Sequence, residues 1–145
     1  MRLAAATVVA SLAWTACGTA GPAPPAHIEP DRNFSLRAGE SAPARDGTLR
    51  IGFEGVTADS RCPKGEQCVW AGDVTARVWL QHGSGPRETR ELHIAPSAAQ
   101  AVRVLDHDMR LVQIDPYPVS GKPIAKADYV VTLVLSRQSA PRSDR

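Results

Sequence analysis

The chain has 145 residues, with 17 Lys and Arg against 15 Asp and Glu, a net charge of +2. That near balance excludes the basic footprint of a nucleic-acid binder, and beyond the N-terminal stretch no apolar run is long enough to cross a bilayer. Three cysteines and an aromatic content of only 5% suggest a small exported domain with few large side chains to fill its core.

Residues 1–16 read as a secretory signal. Arg2 is the single charge, Leu3 to Trp14 form a short apolar run, and Thr15 and Ala16 are small residues at the exit. Cys17 follows directly. Its placement resembles the lipobox of bacterial lipoproteins, in which the cysteine is acylated, with palmitate among the chains, and becomes the mature N-terminus. Trp14 stands where those signals favour Leu. Cleavage after Ala20, giving a soluble periplasmic or secreted protein, is the alternative. Lipidation of Cys17 would account for the odd cysteine count, leaving Cys62 and Cys68 as a pair. Loss of residues 1–16 removes only Arg2 and leaves a net charge of +1. Residues 17–32, rich in Pro and Ala, are expected to form a flexible tether, 33–136 the folded domain, and 137–145 a disordered tail.

Within the domain the dominant period is two. Phe34 and Leu36 share a face in 33–37, and Leu49, Ile51 and Phe53 do so in 48–54. Val74, Ala76, Val78 and Leu80 alternate with Thr75, Arg77, Trp79 and Gln81, so the latter set belongs to an outer face. Leu92 and Ile94 oppose Glu91 and His93, and Val102 and Val104 flank Arg103. Met109 to Asp115 is apolar without clear alternation. Tyr129 to Leu135 is apolar on both faces except at Thr132, which predicts a central strand covered on both sides. Ser97 to Val102 is expected to form one helical turn at most. About seven short strands, punctuated by turn signals such as Arg45-Asp46-Gly47 and His82-Gly83-Ser84-Gly85-Pro86, predict an all-β domain, a single antiparallel β-sandwich or small barrel.

The densest stretch is 59–72, Asp-Ser-Arg-Cys-Pro-Lys-Gly-Glu-Gln-Cys-Val-Trp-Ala-Gly, between two of these strands. Zinc sites use closer cysteine pairs and four ligands, so Cys62 and Cys68 are expected to form a disulfide. In the chain-entropy model a ring this short contributes about 2 kcal/mol, so it stiffens a turn more than it holds a fold. Pro63 and Gly65 suit a turn inside the ring. Trp70, just after it, is expected to pack on the sulfurs as a lid, with exposure as a binding anchor the alternative.

The segment DSRCP-x4-C-x-W-A-G, together with Pro116-Tyr117-Pro118 and Asp128-Tyr129, resembles a group of small exported bacterial proteins, many of them lipoproteins, with no assigned activity. The resemblance spans roughly residues 34–135 and implies a secreted β domain. It supplies no catalytic residue.

Other chemistry is sparse. His27, His82, His93 and His107 are scattered, without H-E-x-x-H or C-x-x-C spacing, and no serine sits in G-x-S-x-G. Asp106-His107-Asp108 reads as a solvated turn rather than a metal site, and Arg87, Glu88, Arg90 and Glu91 as a solvated sheet face. Asn33-Phe34-Ser35 matches a glycosylation sequon by chance. The expected function is therefore that of a non-enzymatic, envelope-tethered module without cofactor. It would sit on a membrane through an N-terminal lipid and bind a protein or glycan through Asp59, Arg61, Lys64, Glu66 and Trp70. The alternatives are a metal-binding protein and a protease inhibitor that offers Lys64 as a substrate-like residue.

Overall fold

The computed structural model describes residues 23–95, 98–99 and 101–137. The expected signal, Cys17 and the tail beyond Arg137 lie outside the described residues. In chain order the strands are β1 (Asn33–Arg37), β2 (Ser41–Pro43), β3 (Leu49–Asp59), β4 (Val74–His82), β5 (Arg87–Ala95), β6 (Ala98–Ala99), β7 (Ala101–Val104), β8 (His107–Asp115) and β9 (Val130–Arg137). One sheet has the order β1-β9-β8-β7 and the other β2-β3-β4-β5-β6, with every neighbouring pair antiparallel. The two sheets pack face to face as a β-sandwich. Among the described residues no helix is long and apolar enough to cross a membrane.

Alternation decides which side chains meet between the sheets. Phe34, Leu36, Val131, Leu133 and Leu135 point inward from one sheet, and Ile51, Phe53, Val78 and Leu92 from the other. β9 is central, paired with β1 and β8, but it is not equally covered on both sides: Val131, Leu133 and Leu135 are buried while Val130, Thr132 and Val134 are half-exposed. The missing alternation of 109–115 has a local cause. A bulge between Leu111 and Gln113 inserts one residue, so Met109, Leu111 and then Ile114 turn inward.

Trp79 takes the outer face its period dictates, yet it is only 9% exposed. Its indole lies across Gly52 on β3, where any Cβ would overlap the ring. The Arg87 guanidinium stacks on it 4.0 Å from the ring centroid. In the stretch expected to form one helical turn at most, the described residues are strand: Ala98–Ala99 pairs with β5, and Ala101–Val104 pairs with β8. Short alanine-rich sequence favours helix weakly, and pairing at a sheet edge outweighs it.

The folded domain also begins earlier than residue 33. Ile28 is fully buried, donates its N–H to the Pro43 carbonyl (2.8 Å) and accepts from the Arg45 N–H (3.0 Å). Asp31 N–H donates to the Leu135 carbonyl at 2.8 Å, so the last part of the expected tether is a strap on the sandwich. This entry lies at one pole, beside the start of β3 and the end of β9. The β3–β4 loop lies at the other, beside the start of β9. Eight residues of β9 separate the poles by roughly 25 Å.

Candidate functional site

The loop between β3 and β4 is built on an extension of their ladder. Ser60 N–H donates to the Asp73 carbonyl at 2.8 Å, and Cys62 N–H to the Ala71 carbonyl at 3.2 Å. Gly72 has φ +76°, and a Cβ there would overlap the Ser60 carbonyl, so the return strand approaches this closely only with glycine. Past this stem the Cys62–Cys68 disulfide closes the ring, with Cα atoms 5.9 Å apart. Inside it, Glu66 N–H donates to the Pro63 carbonyl at 3.1 Å and Gly65 has φ +95°, the pattern of a type II turn with Gly at its third position. Such a bond forms and persists in oxidising, exported compartments.

A second loop buttresses the first. The segment between β8 and β9 runs alongside, with Lys64 N–H donating to the Pro118 carbonyl (2.9 Å) and Ser120 N–H donating to the Lys64 carbonyl (3.1 Å). Ser120 Oγ donates to Glu66 Oε1 at 2.6 Å, and Lys64 Nζ lies 5.5 Å from the Tyr117 ring centroid.

Beneath both loops sits Arg61, about nine-tenths buried. It donates to both oxygens of Asp59 at 2.8 and 2.6 Å, to the Ile114 carbonyl at 2.7 Å and to the Pro116 carbonyl at 3.0 Å. Tyr129 Oη donates to Asp59 Oδ2 at 3.1 Å. Burial pushes the Asp59 carboxyl up, but the bonds and charge of Arg61 outweigh it and hold the group below the usual carboxylate range. The Asp59 bond raises Arg61 further, and burial together with the Asp59 charge raises Tyr129. Asp59 and Arg61, expected as contact residues, are therefore the pin that joins the loop of one sheet to the loop of the other.

The remaining candidates sort by exposure. Lys64 and Glu66 are exposed, with their side chains engaged as described. The expected lid does not form: Trp70 is 82% exposed, and its neighbour Val69, which the sequence reading passed over, is 92% exposed. Together with Pro63, the two cysteines and Gly72, both side chains line an open hollow of about 560 Å³. A second hollow, of about 400 Å³, contains Lys64, Val112 and Tyr117, and Arg61 borders both. Tyr117 and Val119 are also partly exposed, so the β8–β9 loop belongs to the same surface. The Pro-Tyr-Pro run marked that loop in the sequence, though nothing there tied it to the ring.

Lys64 is poorly placed as a substrate-like residue. A protease must take up the backbone of the residue it recognises, and here both the N–H and the carbonyl of Lys64 are already bonded to the neighbouring loop. At the base of the pole, His93 Nδ1 lies 3.1 Å from both Asp73 Oδ2 and Thr75 Oγ1. Both contacts fall on one ring nitrogen, whereas a proton relay would use the two nitrogens separately. Among the described residues, no group of three or more His, Cys, Asp or Glu side chains is arranged to hold a metal.

Fold and site together define a disulfide-bearing antiparallel β-sandwich with a rigid two-loop pole. No protein family, curated protein or solved structure matches the chain.

Proposed function

We propose that this is a non-enzymatic binding domain of the bacterial cell envelope, lipidated at Cys17, that engages a partner protein through Val69 and Trp70. The resemblance to small exported lipoproteins and the signal-like segment ending at Cys17 support the anchor. The observation that carries the binding site is the 82% exposure of Trp70 on a loop otherwise fixed by a disulfide, a pinned arginine and a second loop. A Trp and a Val so exposed bury little apolar surface where they stand, and a large rigid aromatic is the typical anchor of a protein interface. Holding it in place before binding lowers the entropy lost on association.

The test is a photo-crosslinking amino acid at position 69 in the full chain expressed in its native envelope. A discrete protein adduct that disappears with Trp70→Ala is the expected result. Adducts only to glycan, or none at all while the same probe at position 112 reacts, would reject a protein partner at the tip. Independently, Cys17→Ser should move the protein from the membrane fraction to the soluble one or leave it unprocessed.

A further inference from the structure

At the opposite pole, where Ile28 enters, the core stops short. Ile51, Phe53, Val78 and Leu133 are fully buried, but Leu49, Leu80 and Val104 keep 4–6% of their surface. They floor a cleft of about 250 Å³ between the sheets, bounded by the β4–β5 turn and the β7–β8 turn. No Phe, Trp or Tyr lines this cleft, and Leu105 on its rim stays 56% exposed, so the gap left as the two sheets diverge is not closed.

The rim is not neutral in its pairing. Arg90 is held by Glu88 at 2.7 Å, which satisfies both charges. Arg103 is 68% exposed, and its nearest acidic contact among the described residues is Asp108 at 3.9 Å, too long for a hydrogen bond. His82 stands on the same rim. Arg103 is thus held only by a long ion pair to its cross-strand neighbour Asp108, and a guanidinium so loosely engaged at the mouth of a cleft with an apolar floor and a charged rim matches a carboxylate with an aliphatic tail.

We propose that this cleft is a binding site for a short aliphatic carboxylate, its chain on Leu49, Leu80 and Val104 and its head on Arg103. The site is independent of the Trp70 pole and stands whether or not that surface binds a protein. Octanoate titrated into the mature chain should shift the methyl resonances of Leu49, Leu80 and Val104 and leave those of Val131 and Leu133 in place. Arg103→Glu, at an exposed position, should weaken octanoate about tenfold, the worth of one charge-assisted bond, and favour octylammonium instead, with the unshifted Val131 and Leu133 methyls reporting that the core is intact. Val104→Phe should fill the cleft and abolish both. Methyl shifts absent at millimolar octanoate, shifts spread evenly over the core, or an affinity unchanged by Arg103→Glu would each overturn the proposal.

Discussion

Arg61 shows how one side chain can change meaning between sequence and structure. In the sequence it is a charge in an exposed-looking loop, indistinguishable from Lys64. In the fold its guanidinium binds Asp59, the Ile114 carbonyl of the opposite sheet and the Pro116 carbonyl of the loop that follows. Partners 53 and 55 residues away in sequence cannot be inferred from local pattern. Arg61→Ala leaves Asp59 buried without its partner and should destabilise the domain by about 3 kcal/mol in denaturant titration. The pH dependence follows from the lowered Asp59 carboxyl. Its contribution is complete above the unfolded carboxylate value of about 4 and is lost as pH falls through the lower folded value. Acid titration of stability should therefore be flatter below pH 4 in Arg61→Ala than in the wild type.

Elements with a clean period were readable directly: β3 through Leu49, Ile51 and Phe53, and β4 through Val74, Ala76, Val78 and Leu80. Failures trace to features that break or override a period. The bulge in β8 hides its alternation, Ile28 looks like linker because a lone apolar residue among prolines has no period, and Ala98–Ala99 pairs against its helical bias. Trp79 looked solvated because its cover, Gly52 and Arg87, comes from neighbouring strands. The ring was readable as a ring, but the direction of Trp70 depends on the stem at Gly72. Gly72→Ala should cost more than 1 kcal/mol, since it combines strained positive φ with a backbone clash, and thermal melting would show it. Replacing both cysteines with alanine should cost about 2 kcal/mol and still leave a folded sandwich, because the stem and the Arg61 pin hold the loop base without the cross-link. Far-UV circular dichroism retaining the β signature would check this.

At the scale of the molecule, the two poles have different characters. The chain enters at one, next to Ile28, and Val69 and Trp70 project from the other, roughly 25 Å away along β9. If Cys17 carries the proposed lipid, the chain would enter the sandwich from the anchored side at the pole opposite the loops. The central claim is that Trp70 is kept exposed for binding and does nothing for the fold. The most direct test compares Trp70→Ala with the wild type in one preparation, measuring melting temperature and the recovery of crosslinked partner together. The expected result is an unchanged melting temperature, within the roughly 0.5 kcal/mol typical of surface substitutions, and loss of the partner. Full partner recovery, or a substantial fall in stability, would contradict the claim and assign the loop to structure alone.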